Sequence, residues 1–141
     1  MCGVAGCLLS RPLQGNLRNL SSVLYGIRKR GSDDDGALLV HRTAGTSMRF
    51  STERSVASLR ERLPRLVPQE IGLFDLALLH TRYAIIDLSA EAHQPFASAD
   101  GGITAAWNGE IYNYRELRCD LAREGVVFRS ASDTEVLVEG Y

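Results

Sequence analysis

The sequence predicts a strand-rich α+β domain in which helices are inserted between β runs. Its apolar residues change period along the chain, from runs typical of strands to the three- and four-residue spacing of amphipathic helices. Clusters of glycine, proline, serine and aspartate separate these segments and predict turns between them. No repeat, low-complexity tract or interdomain linker interrupts the 141 residues, so we expect one domain.

Strands are predicted where apolar, β-branched and aromatic residues run between turn signals. The predicted strands are residues 2–9, 37–41, 47–50, 74–82, 84–88, 102–107 and 126–128. The first is expected to be buried, because its residues are small and apolar with glycines interspersed. Residues 32–36 are predicted to be a turn from their composition.

Helices are predicted where leucines recur at helical spacing. The first is expected to start at Asn16 and to stop at Gly31, and the next long one covers residues 114–123. Between Ser51 and Ile71, a stretch broken by Pro64 and Pro68 predicts one short helix and a loop. The run Ser132-Asp133-Thr134-Glu135 has the form of a capping box and opens a last helix.

Composition and charge exclude several classes of function. The chain has 45% hydrophobic and 23% charged residues and a net charge of −1, so it lacks the basic field that attracts nucleic acid or anionic lipid. Its first residues include no positively charged leader and only a short apolar run. We therefore expect no signal peptide, no membrane span and a cytoplasmic location.

The cysteines and histidines predict neither a disulfide framework nor a metal site. The three cysteines, Cys2, Cys7 and Cys119, form no C-x-x-C pair, and the three histidines lie without ligand spacing. Cys7 comes five residues after Cys2 in the same predicted strand. It is therefore expected to point to the opposite face and to pack in the core.

Cys2 directly follows the initiator methionine, and removal of Met1 would leave a thiol and a free α-amine on one residue. With ordinary pKa values of about 8.5 and about 7.7 to 8.0, both groups titrate near neutrality, so the amine is able to act as the base for the thiol. Cys2 is therefore a candidate N-terminal nucleophile. Taken alone, a Met-Cys start also fits chance and a small thiol in a buried strand.

Asn108-Gly109, Arg82 and Asp133 supply the other candidate chemistry. An asparagine side-chain amide and a glycine backbone N–H together suit an oxyanion hole, although Asn-Gly after a β run is also a common hairpin turn. Arg82 offers bidentate donors to an amino-acid α-carboxylate, and Asp133 offers an acceptor to an α-ammonium. Each also has an ordinary explanation, as a solvated arginine or as a favourable charge at a helix start.

Six short segments occur in one order along the chain and together resemble the class II glutamine amidotransferases. The segments are Met1-Cys2-Gly3-Val4-Ala5-Gly6, Arg30-Gly31-Ser32-Asp33, His80-Thr81-Arg82, Ile85-Ile86-Asp87-Leu88-Ser89, Asn108-Gly109-Glu110-Ile111-Tyr112-Asn113 and Ser132-Asp133-Thr134-Glu135. The likeness is nearest to the glutaminase domain of asparagine synthetase (glutamine-hydrolysing), and it runs from end to end of the chain.

This resemblance implies an N-terminal-nucleophile hydrolase fold, a four-layer αββα sandwich of antiparallel sheets. It also implies roles: Cys2 as nucleophile with its α-amine as base, Asn108 and Gly109 as oxyanion hole, Arg82 on the glutamine α-carboxylate, and Glu110 and Asp133 on the α-ammonium. Cys2 would attack the carboxamide, ammonia would leave, and water would hydrolyse the γ-glutamyl thioester. No cofactor or metal is implied for this half-reaction.

The family also implies partners. Ammonia is expected to pass to a synthetase domain or partner chain, and ATP and magnesium are expected only in such a synthetase domain, outside this chain. Because family members continue for several further strands, residues 1–141 are expected to be the N-terminal part of a longer glutaminase domain or protein. An incomplete sandwich would expose a strand edge, so pairing with a second chain or a homodimer is an alternative.

Three other functions stay open at this point. A truncated, inactive glutaminase-like module would serve as an interaction or regulatory domain. A related hydrolase, such as an acylase, would act on another amide and would not need both Arg82 and Asp133. A purely structural α+β domain would require the ordered set of motifs to be a coincidence.

Overall fold

The structure is a computed structural model that describes residues 1–14, 17–67 and 72–141. The predicted helix start at Asn16, the loop residue Pro68 and the loop end at Ile71 lie outside these residues. Antiparallel sheets and helices alternate along the chain, which confirms the predicted α+β class. Within the described residues, no helix is both long and apolar enough to cross a membrane.

The main sheet has four strands in the order β1-β4-β2-β3, and every neighbouring pair is antiparallel. Its strands are β1 (Gly3–Gln14), β2 (Asp34–His41), β3 (Thr46–Ser51) and β4 (Leu73–Arg82). A second sheet pairs β5 (Phe96–Ala97) with β6 (Thr104–Ala105). In the main sheet, the starts of β1 and β2 meet the end of β4, because Gly3 and Asp35 both pair with Thr81.

The described residues form four α-helices besides these sheets. They are α1 (Leu17–Ile27), α2 (Ala57–Arg62), α3 (Tyr114–Arg123) and α4 (Asp133–Glu139). A 3-10 turn at Arg28–Arg30 extends α1 to Gly31, as the glycine predicts, and a second 3-10 turn covers Ala90–Ala92. The span predicted for α3 and the short helix α2 are confirmed.

The hydrophobic core lies between α1 and one face of the main sheet, which we name the helix face. Leu20 and Leu24 of α1 pack there against apolar residues of β2, β3 and β4. The core strand residues are Ala37, Leu39, Phe50, Phe74, Ala77 and Leu79. Because strand side chains alternate, Asp34, Gly36, His80 and Arg82 point to the other face, which we name the cleft face.

Three strand predictions differ from the structure. Residues 84–88 form bends and coil, since the backbone N–H of Ala84 donates to Asp33 instead of to a neighbouring strand. Residues 126–128 follow Gly125, whose φ is 99°, and Val127 is 84% exposed, so this apolar segment forms no strand. Of residues 102–107, only β6 pairs, and the predicted turn at 32–36 ends early because β2 already begins at Asp34.

β1 is an edge strand, and the prediction that it is buried is wrong. Val4 and Leu8 are exposed, and so is Cys7, which the sequence placed in the core. Cys7 pairs with Ala77 and therefore does share the helix face, opposite to Cys2. An edge strand has a sheet neighbour on one side only, so alternation alone does not bury its side chains.

The predicted capping box at α4 is only half formed. Ser132 caps the helix by accepting the N–H of Thr134 at 3.1 Å. Glu135 does not return to the Ser132 N–H, because its buried carboxylate accepts the N–H groups of Arg129 and Ser130. The capping residue was thus predicted correctly, while Glu135 ties the preceding loop to the helix.

Candidate active site

A cleft of about 300 Å³ opens where β1 begins and β4 ends. This volume is at the lower end of the range for small-molecule sites. The cleft is lined by all the residues that the sequence selects for chemistry, namely Cys2, Arg82, Asn108, Gly109, Glu110 and Asp133. They come from four segments that are far apart in the sequence. The fold brings these segments together at one cleft.

Cys2 lies directly before the first residue of β1 and is held there by four contacts, one of which joins its thiol to the Tyr83 carbonyl at 3.8 Å. Its backbone N–H donates to Asn108 Oδ1 at 3.0 Å, and its Sγ accepts the N–H of Tyr83 at 3.4 Å. Its carbonyl accepts from Arg30 Nε at 3.3 Å. Both the nitrogen and the sulfur of the predicted nucleophile therefore have fixed positions.

Gly3 allows this placement of Cys2. A Cβ atom at Gly3 would lie 2.5 Å from Thr81 Oγ1 and 2.7 Å from the carbonyl oxygen of Ile27. Such distances are too short for any side chain, so only glycine lets β1 pass between β4 and the end of α1. Steric crowding thus explains why glycine follows Cys2 in the sequence.

Met1 also lines the cleft, with its Sδ 3.8 Å from Arg30 Nη2. While Met1 is attached, the nitrogen of Cys2 is an amide and cannot act as a base. Removal of Met1 would turn that nitrogen into an α-amine beside Asn108 Oδ1 and would open this side of the cleft. The geometry therefore makes the chemistry of Cys2 depend on processing.

Asn108 and Gly109 follow Trp107 in the chain, and all three residues line the cleft. Because Asn108 Oδ1 accepts from Cys2, the Nδ2 group of the same carboxamide is free in chemical terms to donate elsewhere. Gly109 packs against the indole of Trp107, whose ring atoms occupy the space that a Cβ would need. A side chain at position 109 would therefore displace the wall.

Arg82 is 7% exposed and has a structural task besides lining the cleft. Its Nη1 donates to the carbonyl of Ser89 at 2.9 Å, and its Nη2 donates to the carbonyl of Asp87. The guanidinium thus fixes the loop 83–89, which forms the rim of the cleft. A guanidinium has five N–H donors, so these two bonds leave donors for a ligand.

Two carboxylates bind the backbone of the same rim. Asp33 accepts the N–H of Ala84 at 2.8 Å, and hydrogen bonds from Ser32 and Ala84 lower the pKa of Asp33. Asp87 accepts the N–H groups of Ser89 and Ala131, each at 2.7 Å. Although burial raises the pKa of Asp87, these bonds bring it below the ordinary value.

Asp133 and Glu110 add carboxylates to the lining of the cleft. Asp133, the first residue of α4, is buried and accepts the N–H of Ile111 at 3.1 Å through one carboxylate oxygen. Glu110 is exposed at the mouth. The cleft is thus lined by a cation and by carboxylates, the counter-charges that the two charged groups of a free amino acid require.

His80 lies under the cleft and is fully buried. Burial lowers its pKa to about 4, so the ring is neutral at physiological pH. Its Nε2 lies 3.1 Å from the carbonyl oxygen of Trp107, and a carbonyl only accepts, so the neutral ring carries its proton on Nε2. His80 therefore acts here as a hydrogen-bond donor and not as a charge.

Sequence reasoning did not assign Arg30 or the backbone N–H of Tyr83. Arg30 lies in one of the motifs of the resemblance, so its motif was a usable signal. Tyr83 contributes a main-chain group, and no side-chain pattern identifies such a contact. Within the described part of the chain, no cluster of three or more His, Cys, Asp or Glu side chains is arranged to hold a metal ion.

Comparison with known proteins agrees with the geometry. Residues 51–141 match a family model described as a glutamine amidotransferase domain. The glutamine–fructose-6-phosphate aminotransferase (isomerizing) of Rhizobium meliloti is 32% identical over 140 residues, covering 97% of this chain and 21% of that protein. The amidophosphoribosyltransferase of Rattus norvegicus is 28% identical over 144 residues, covering 98% of this chain and 28% of that protein.

A shorter match, 42% identical over 66 residues, covers 47% of this chain and 10% of a protein named amidase chry2 from Gibberella zeae. The chain spans between about a fifth and just over a quarter (21% and 28%) of the two relatives that match nearly all of it. Those relatives have other names than asparagine synthetase, so the nearer likeness to that enzyme stays a prediction. The family model and the end-to-end matches show that this chain belongs to the class II glutamine amidotransferases.

Proposed function

We propose that this chain hydrolyses glutamine to glutamate and ammonia, with Cys2 as an N-terminal nucleophile after removal of Met1. The observation that supports this most strongly is the position of Cys2. Its nitrogen lies beside Asn108 and its sulfur beside the Tyr83 N–H, in a cleft that also contains Arg82 and Asp133. A nucleophile, its base and an amino-acid clamp thus share one small space.

The proposed reaction proceeds by acyl transfer. The α-amine of Cys2 takes the thiol proton, directly or through a water, and the thiolate attacks the carboxamide carbon of glutamine. The Nδ2 group of Asn108 and the N–H of Gly109 stabilise the oxyanion that forms. The carbon–nitrogen bond then breaks, and the amide nitrogen leaves as ammonia with the proton that the α-amine took from the thiol. Water hydrolyses the γ-glutamyl thioester, which releases glutamate and restores the Cys2 thiol.

Arg82 and Asp133 account for the choice of glutamine over other amides. The remaining donors of Arg82 bind the α-carboxylate, while Asp133 and the exposed Glu110 bind the α-ammonium. An acylase would not need both a cation and carboxylates in one cleft. The proposed reaction uses only groups of the chain itself and requires no cofactor.

The antiparallel sheets are compatible with the N-terminal-nucleophile hydrolase sandwich, which we propose as the fold of the domain. The ammonia is proposed to go to an acceptor site outside these 141 residues, in a synthetase domain or a partner chain. The sequence motifs favour an ATP- and magnesium-dependent asparagine-synthetase-like acceptor. The relatives found by comparison are named for other acceptors, so identifying the aminated product is the way to decide.

One observation favours an inactive, regulatory module as the alternative. Two of the nitrogen atoms of Arg82 already donate to backbone carbonyls of the rim. If the guanidinium served only the loop, the cleft would have no carboxylate clamp. Activity on glutamine decides between the two functions.

The test is the rate of glutamate release from glutamine by Met-free protein. We expect Cys2→Ser to reduce kcat by at least about 10³-fold, because the nucleophile is replaced by a hydroxyl with a much higher pKa. Cys119→Ser is the matched control, since Cys119 is exposed on α3 and should leave kcat unchanged. Equal activity of the Cys2 variant, or no activity of the Met-free wild type, would contradict the proposal.

A further inference from the structure

The residue before the proposed oxyanion pair is held by two buried side chains. The N–H of Trp107 donates to Gln94 Oε1 at 2.6 Å, and its carbonyl oxygen lies 3.1 Å from His80 Nε2. Gln94 is 5% exposed, and both peptide planes next to Trp107 are thus fixed from inside the protein. The direction in which the chain enters Asn108 depends on these contacts.

The other end of the Gln94 carboxamide reaches the residue after Asp133. Its Nε2 donates to Thr134 Oγ1 at 3.2 Å, and Thr134 is buried directly after Asp133 at the start of α4. Gln94 and Thr134 also line the cleft. One side chain therefore joins two segments that are far apart in the sequence.

The backbone at Gln94 is fixed by contacts with β2. The residue before it, His93, has its Nδ1 2.6 Å from Asp34 Oδ2, with both side chains buried. Gly36 of β2 lies against the His93 ring and the Gln94 carbonyl, where a Cβ would not fit. Residues 93 and 94 are thus packed against the cleft face of the main sheet, which fixes the position from which the Gln94 side chain extends.

We propose that Gln94 is a positioning residue that couples the amino-acid clamp at Asp133 to the oxyanion segment at Asn108. This inference rests on the proposed glutaminase function. A carboxamide is a rigid planar group with a donor and an acceptor. If Thr134 shifts, the carboxamide of Gln94 therefore shifts as a whole, and the hydrogen bond of its oxygen to the Trp107 N–H shifts with it. Binding of the glutamine ammonium by Asp133 would then also set the geometry of the groups that stabilise the oxyanion.

A purely structural role for Gln94 makes a different prediction. If the side chain only satisfies buried polar groups, cutting its bond to Thr134 affects the clamp and stability but not the oxyanion segment. If it couples the two, the same cut also lowers kcat at saturating glutamine. Thr134→Val separates these cases, because it removes the hydroxyl, keeps the shape and leaves the bond between Gln94 and Trp107 in place.

The experiment measures kcat and KM for glutamine, together with hydrogen exchange of the Trp107 amide, in Met-free wild type, Thr134→Val, Thr134→Ser and Gln94→Met. Coupling predicts that Thr134→Val lowers kcat about 10- to 100-fold, because small misplacements at an oxyanion site have effects of this size. It also predicts that the Trp107 amide exchanges about fivefold to tenfold faster. Gln94→Met should show both effects more strongly, and Thr134→Ser should restore both.

Ser55→Ala is the control for lost stability, since the Ser55 hydroxyl is buried, donates to the Asp35 carbonyl and lies outside the cleft lining. It should lower the melting temperature without a change in kcat, KM or Trp107 exchange. A Thr134→Val protein whose kcat and Trp107 exchange stay within about twofold of wild type overturns the inference. An inactive wild type overturns the proposed function instead, and in that case the exchange data alone decide whether Gln94 couples the two segments.

Discussion

The two faces of the main sheet are built from the same strands but are stabilised differently. On the helix face, Leu24 of α1 packs against Ala37 and Leu79, and the contacts are apolar. On the cleft face, alternate residues of the same strands, such as Asp34 and His80, are buried polar groups with specific hydrogen-bond partners. Both faces are thus buried, but the core is on the helix face and the polar groups beside the candidate site are on the cleft face.

This difference shows how a small domain combines stability with a reactive site. Burial of apolar surface tolerates imprecise geometry, because it is roughly proportional to area. Buried polar groups tolerate no such imprecision, since an unpaired donor or acceptor costs about 1 to 3 kcal/mol. Changes on the helix face should therefore affect stability with little effect on kcat, while changes on the cleft face should affect stability, activity or both.

The largest effect on stability is expected from Leu24→Ala on the helix face. Leu24 is 2% exposed, and a buried leucine replaced by alanine lowers the free energy of unfolding by about 2 to 5 kcal/mol. Urea unfolding measures this loss. The kcat per folded molecule should stay at the wild-type value, and a large fall in kcat would contradict the separation of the two faces.

The next effect is a loss of stability in acid caused by His80 on the cleft face. Its pKa is about 4 in the folded chain, mainly because of burial, and about 6.5 when unfolded. Between these values the unfolded chain binds a proton that the folded chain does not, so the free energy of unfolding falls as the pH drops. The full loss is roughly 3 kcal/mol and is absent above about pH 7.

His80→Gln is the control for this prediction, because glutamine offers an amide donor to the Trp107 carbonyl but does not titrate. Urea unfolding of both proteins between pH 7 and pH 4 isolates the contribution of His80. The difference in the free energy of unfolding should develop between about pH 6.5 and about pH 4. Asp35 has a pKa raised by burial and acts in the opposite direction, and it is present in both proteins. An identical acid dependence would show that His80 is not the cause.

A smaller effect is expected from Asp87→Ala at the rim of the cleft. The carboxylate joins the rim to the segment before α4 through the N–H groups of Ser89 and Ala131, so its loss should cost about 1 kcal/mol and raise KM for glutamine. Asp100→Ala is the matched control. Asp100 accepts the Gly102 N–H in a turn that does not line the cleft, and its loss should leave KM unchanged.

The smallest effect is expected from Cys7→Ala. Cys7 is exposed on the edge strand, so the substitution should change the free energy of unfolding by less than about 0.5 kcal/mol and leave kcat unchanged. Differential scanning calorimetry is a suitable measurement. A loss as large as that of Leu24→Ala would mean that another surface covers Cys7 in solution.

The sequence predicted those parts of the fold that depend on local pattern. The strand β4 and the helix α3 have long, regular periods, and their spans agree with the structure within a residue. The residues 84–88 misled the strand prediction, because the Ala84 N–H donates to Asp33 and the Asp87 carbonyl accepts from the guanidinium of Arg82, and neither group pairs with another strand. Such contacts depend on residues distant in the chain, which a local pattern does not reveal.

The residues that line the candidate site were predictable from the sequence, but the buried contacts that hold them in place were not. Cys2, Arg82 and Asn108 were selected by motif, and the structure brings them to one cleft. The contacts of Gln94 to Trp107 and Thr134 join segments 13 and 40 residues away, and neither partner has a distinctive local signal. Gln94 makes these contacts because the fold brings Trp107 and Thr134 to the loop before β5, and no local pattern predicts that.

The central claim is that Cys2, once Met1 is removed, is the nucleophile that attacks glutamine. The most direct measurement is the intact mass of the chain after reaction with a glutamine analogue that has an electrophile in place of the carboxamide, followed by mapping of the modified residue. We predict a single adduct on the Met-free chain, located at Cys2 and prevented by excess glutamine. An adduct on the exposed Cys7 or Cys119, labelling that glutamine does not prevent, or a Met-free chain that does not react would contradict the account.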